Sequence, residues 1–132
     1  MNCFIDTSAL LAVFDRDDEF HEKAVATWRR LIGEEWRMIT SSYTLLETLA
    51  LFQKRLGLKA VRTLQIDVVP LLDVIWVTKA LHDAAVTALL ATERRKRSLV
   101  DCTGFEVMRS GSLTRAFTFD RHFADQGFEL LP

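Results

Sequence analysis

Cysteine, proline and glycine are scarce in this chain of 132 residues, numbering two, two and five. Cys3 and Cys102 lie far apart and in no CxxC or Cys/His spacing, which excludes a disulfide framework and a zinc knuckle; both read as buried thiols. There is no linker, repeat or low-complexity tract, and the length suits a single domain over residues 1–132. No stretch approaches the roughly eighteen consecutive apolar residues of a membrane span, and the N-terminus lacks the basic region, apolar core and cleavage site of a secretory signal. We therefore expect a cytoplasmic protein with no membrane association. Charge of one sign is lacking too: the net charge is −1 and the pI is near 6.3. No global field draws such a chain to nucleic acid, so any phosphate binding has to come from local basic patches or bound cations.

The chain is rich instead in core-forming residues, at 49% hydrophobic against 27% charged. Short stretches of β-branched and aromatic residues predict strands at 2–5, 37–40, 73–77, 115–119 and 128–131. Helical spacing fills the intervals. A helix over 19–32 stops at Gly33, and one over 44–56 carries Lys54 and Arg55 in its last turn before Gly57. A third, over 58–69, stops at Pro70; the longest, over 79–97, has Thr78 as N-cap; the last begins after Ser98 and ends by Gly111. Strands alternating with helices imply an α/β fold. Strands apolar on both faces imply a parallel sheet covered on both sides, a three-layer α/β/α arrangement.

Within this frame four acids stand out. Asp6 follows the apolar strand CFI, Asp120 follows AFTF, Glu47 lies in the first turns of the helix after the second strand, and Asp101 lies in the first turn after Ser98. Strand ends and helix starts at the C-terminal edge of a parallel sheet face one crevice, where such folds bind ligands. Each acid also has a structural explanation. Asp6 and Asp120 suit N-caps, and Thr44 with Glu47, like Ser98 with Asp101, has capping-box spacing. Taken singly, capping is the commoner role. Taken together, the acids have only Arg121 as an immediate basic neighbour, and isolated caps have no reason to converge. Carboxylates that do converge cannot all ionise without raised pKa values or a cation. All-oxygen ligands select a hard ion, magnesium or manganese, and a water activated by such an ion hydrolyses phosphodiesters.

These residues resemble the PIN-domain nucleases, most closely the VapC-type toxins of toxin-antitoxin pairs. The matching pieces are FIDTSALLAVF, SSYTLLETLAL, SLVDCTGFEVM and RAFTFDRHFADQGFELLP, which span essentially the whole chain. The resemblance implies a five-stranded parallel sheet in the order 3-2-1-4-5. It also implies Mg2+- or Mn2+-dependent endoribonuclease activity, with Asp6, Glu47, Asp101 and Asp120 as the catalytic metal site and Asp6 and Asp101 as the foremost ligands. Ser8 matches a hydroxyl that orients water or phosphate, and Thr118 matches the polar residue before the fourth acid. A cognate antitoxin and a homodimer are implied as partners beside the RNA substrate. One departure is that many relatives carry a further acid just past the fourth, where this chain has RHFA and no acid before Asp125. We therefore expect one firmly held ion and a second recruited at most with substrate.

Other features have two readings. Arg94, Arg95, Lys96 and Arg97 form the one basic run, suited to the RNA backbone or simply to a helix C-terminus. Of His21, His82 and His122, only His122 sits next to an acid of the set. Trp28 and Trp36 suit helix-to-sheet packing, and Trp76 falls in a core strand. The apolar residues of 45–52, with Leu10, Leu11 and Val13, serve either the core or a partner-binding groove. The alternative to a nuclease is a non-catalytic magnesium-binding regulatory module of receiver type, for which WVTK offers Lys79 but no acid pair follows the first strand. A phosphatase with a strand-end aspartate lacks its DxD pair, since Thr7 and Ser8 follow Asp6.

Overall fold

A parallel strand buried on both faces must be covered by helices on both, and the computed structural model, which describes residues 1–92 and 97–131, meets that requirement. Strands β1 (Asn2–Ile5), β2 (Arg37–Ser41), β3 (Leu72–Ile75), β4 (Arg115–Phe117) and β5 (Glu129–Leu131) form one sheet in the order β3-β2-β1-β4-β5, all pairs parallel. The order 3-2-1-4-5 is thus the observed one. The helices are α1 (Thr7–Phe14), α2 (His21–Gly33), α3 (Ser42–Arg55), α4 (Leu58–Thr63), α5 (Lys79–Thr92), α6 (Leu99–Ser110) and α7 (His122–Asp125). None of the described helices is long and apolar enough to cross a membrane.

The pleat divides the strand residues between two cores. Cys3, Ile5, Met38 and Phe117 face the first, which α1, α2 and α3 close with Leu10, Ala24, Leu31 and Phe52. Phe4, Ile39 and Ala116 face the second, which α6 and α7 close with Phe105, Met108 and Phe123, while α5 packs on α6. Each fully buried aromatic contributes about 2–3 kcal/mol by leaving water. Gly104 lets α6 lie close to β1, since a Cβ there would stand 3.1 Å from the Phe4 ring. Both cysteines are buried and unpaired, and burial pushes the Cys3 thiol up to about 12, so it is unreactive.

The C-terminal edge is stitched by hydroxyls. Thr40 Oγ1 donates to the Ile5 carbonyl at 2.8 Å, tying β2 to β1 where both strands end. Thr7 and Thr48 meet at 2.9 Å, and Thr48 donates to the Thr44 carbonyl at 2.7 Å, which joins the start of α1 to α3. The cap of α3 is Ser41, whose Oγ accepts from Thr44 N–H at 3.0 Å; Thr44 is therefore inside the helix and forms no capping box with Glu47. At α6 Ser98 does cap, accepting from Asp101 N–H at 3.0 Å.

Two further expectations are corrected, and a third falls partly outside the described residues. Trp76 is 73% exposed, because β3 is an edge strand that ends at Ile75 and the chain then leaves the sheet, Val77 N–H donating to Ser42 Oγ. The helix expected over 58–69 breaks after Thr63 into a wide turn, Leu64–Val68, in which Val69 N–H reaches back to the Leu64 carbonyl. A tight turn, Val69–Leu71, follows and contains Pro70, which has no N–H to continue a helix. Helix α5 is described only to Thr92; Arg94, Arg95 and Lys96 lie outside the described residues, and Arg97 precedes the Ser98 cap outside any helix.

Replacing Ser41 by alanine is expected to destabilise the protein by about 1–2 kcal/mol in urea unfolding, because a fully buried cap is lost; no change would return the capping role to Thr44.

Candidate active site

Asp6 stands at the N-cap position of α1, yet its side chain makes no cap bond. Its Oδ2 instead accepts from Ser8 Oγ at 2.8 Å and from Thr118 Oγ1 at 2.8 Å. Those two hydroxyls are 3.2 Å apart, and each accepts a backbone N–H, Ser8 from Phe119 at 3.0 Å and Thr118 from Asp120 at 2.9 Å. Strand β4 and the start of α1 are thus locked together around one carboxylate oxygen. Ser8 gives its one hydrogen to Asp6 and one lone pair to the Phe119 N–H, and so fixes the direction of the Asp6 carboxylate.

The other acids enter from separate elements. Glu47 projects from the second turn of α3, Asp101 from the first turn of α6, and Asp120 from the turn after β4. Asp120 Oδ1 accepts from His122 N–H at 2.9 Å, and the same oxygen lies 3.3 Å from His122 Nδ1. One donor atom each from Asp101, Asp120 and His122 falls within 4.8 Å of the others.

The carboxylates also sense one another. Burial raises Asp6 first, against the pull of Ser8 and Thr118, and the charge of Asp120 raises it further. Burial raises Glu47, Thr7 opposes it, and Asp6 and Asp120 add to it. Asp101 is pushed up to about 6 by burial and then by Asp6 and Asp120, with Ser98 opposing. The charges acting on Asp6, Glu47 and Asp101 all come from other acids of the same set. Lys79 is not among them; it pairs with Asp83 on α5 at 2.7 Å, which removes the lysine a receiver-type pocket requires. A desolvated group of carboxylates with no cation fits a divalent ion, and its oxygen donors fit a hard one.

Beside the acids a cleft of about 460 Å³ is lined by Ser8, Phe20, Arg55, Phe119 and Asp120 among others, with Phe20 and Phe119 stacked at 4.6 Å. Sequence reasoning treated Arg55 only as a helix-end cation and passed over the two phenylalanines; the spacing of neither pointed to the cleft. Arg97 is 8% exposed, stacks on Phe105 at 5.7 Å, and has a buried Nε without a hydrogen-bond partner. Among the described residues no carboxylate pairs with it. Trp36 is buried and Trp28 packs against the first core, so neither is free to stack on bases.

The sequence profile of the PIN domain family matches residues 3–129. The chain belongs to the PIN domain family. This PIN protein is 32% identical over 126 residues to the 23S rRNA-specific endonuclease VapC20 of Mycobacterium tuberculosis, covering 95% of this chain and 94% of that one. The crystal structure of that VapC20, described as a sarcin-ricin loop cleaving toxin, matches with a TM-score of 0.80 at 30% identity over 96% of this chain and 95% of that chain. FitAcB from Neisseria gonorrhoeae shares the fold alone, with a TM-score of 0.70 and 17% identity over 100% and 97% of the two chains. The resemblance to VapC-type toxins drawn from the sequence is borne out by these matches.

The raised Asp101 carboxyl gives a pH test. It holds its proton more tightly when folded, at about 6 against an ordinary 3.8, so it favours the fold below the ordinary value and loses that contribution as pH rises through the folded one. In EDTA, the melting temperature of the wild type relative to Asp101→Asn is expected to fall as pH rises from about 4 to about 7. A constant difference would show that Asp101 is not crowded by the other acids.

Proposed function

We infer that the protein is a metal-dependent endoribonuclease of the VapC toxin type, which hydrolyses RNA phosphodiesters in the cytoplasm under the control of a cognate antitoxin. The observation that carries this reading is the group of Asp6, Glu47 and Asp101, each raised by burial and then by the charges of Asp6 or Asp120, with no basic side chain among the described residues offsetting them. Asp6 and Asp101, with Asp120 and Glu47 around them, are the residues to hold Mg2+ or Mn2+. When bound, such an ion would neutralise the carboxylates and supply Lewis-acid chemistry for hydrolysis of a polyanion.

The chain's own groups do the rest. Ser8 and Thr118 fix one oxygen of Asp6, so that carboxylate keeps its direction while substrate comes and goes. Glu47, half-buried and raised in proton affinity, accepts the proton of the attacking water as its oxygen bonds to phosphorus, while the bond from phosphorus to the ribose oxygen breaks and that oxygen takes a proton from solvent. The guanidinium of Arg97 is costly to bury without an anion, and an RNA phosphate is the partner we assign to it. Arg94, Arg95 and Lys96 are proposed to extend that contact. The homodimer is proposed to cover exposed Leu46, in a groove lined also by Tyr43, Leu99 and Val100. Because its relative cuts 23S rRNA, ribosomal RNA is the first substrate to try.

Asp6→Asn and Asp101→Asn are each expected to lower cleavage of end-labelled RNA at least about a hundredfold with the circular dichroism spectrum unchanged. EDTA is expected to do the same reversibly. Folded variants that cut at the wild-type rate would reduce the acids to helix caps.

A further inference from the structure

His122 is the one nitrogen donor in this acidic group, and its placement has no need of an acid-base role. The chain turns after β4 so that Asp120 accepts the backbone N–H of His122, and this turn brings the ring itself against the same carboxylate oxygen at 3.3 Å. The Nδ1 atom is fully buried and has no hydrogen-bond partner. A desolvated imidazole nitrogen that lies beside a carboxylate oxygen but forms no well-aligned hydrogen bond with it is an unmet cost, because such groups are normally hydrogen-bonded. Asp101, from the opposite side, completes a set of three donor atoms within 4.8 Å. A single ion could take a donor atom from each of the three.

The chemistry of this set differs from that of an all-carboxylate pocket. Magnesium binds oxygen almost exclusively and keeps much of its water, whereas first-row transition dications accept imidazole readily. We propose that His122 supplies an imidazole nitrogen to the metal site it shares with Asp101 and Asp120, so that the site prefers a first-row transition dication such as Mn2+ over Mg2+. The inference rests on the metal-dependent reading above and adds an identity for the ion. The competing role is an ion pair in which His122 only pins the start of α7 to Asp120.

Manganese is both a candidate ion and a spectroscopic probe. In the wild type loaded with one equivalent of Mn2+, electron spin-echo modulation is expected to show coupling to a directly bound 14N, which 15N-histidine labelling shifts. His122→Gln is expected to remove that coupling while still binding Mn2+ through its carboxylates, and to lower the Mn2+/Mg2+ affinity ratio by about tenfold in calorimetric titration. His122→Asp, which puts an oxygen donor in place of the imidazole, is expected to move the ratio further toward Mg2+. A wild-type spectrum without nitrogen coupling, together with loss of Mn2+ binding in Asp101→Asn, would overturn the role of His122 and leave the metal site standing. A wild type that binds no Mn2+ or Mg2+ would overturn both.

Discussion

Burial of carboxylates gathered at one sheet edge, with their mutual repulsion added to it, is the constraint to which the rest of the molecule answers. Asp6 and Asp120 each raise the proton affinity of their neighbours, and among the described residues no lysine or arginine offsets them. A fold can tolerate this in two ways. It can keep the acids protonated, as burial inclines Asp6 and Asp101 to be, or it can receive a cation. The same arrangement that costs stability in the empty state favours the loaded one, which links metal binding to folding.

The scaffold holds the acids together in spite of that repulsion. Parallel strands deliver every βα junction to the same edge, so residues as distant as Asp6 and Asp120 become neighbours through β1–β4 pairing, in which Ile5 is opposite Phe117. Beyond the last paired residues the register is continued by Asp6 N–H bonding to the Phe117 carbonyl at 3.1 Å. Ser8 and Thr118 then convert strand pairing into side-chain direction. The close approach of α6 to β1, which Gly104 allows, brings Asp101 in from the second core. Stability of the layers and placement of the site are thus one property.

Much of this was legible in the sequence, because both sheet and site follow from pattern. Apolar runs marked the strands, and the acids that interrupt them at Asp6 and Asp120 marked the edge. What escaped reading depended on tertiary context. Trp76 looked like core because an edge strand and a central one share composition, and only the pairing of β3 on one side tells them apart. Ser41 and Thr44 are both good caps, and the choice between them was made by where β2 stops. The break after Thr63, and the position of His122 against Asp120, depend on turns whose residues carry no strong local preference.

The claim that the acids share an ion is open to direct view. Crystals grown with Mn2+ and measured at a wavelength where manganese scatters anomalously are expected to give a peak between the carboxylates of Asp6, Asp101 and Asp120. Carboxylates turned away from one another, with no peak among them at saturating Mn2+, would contradict it.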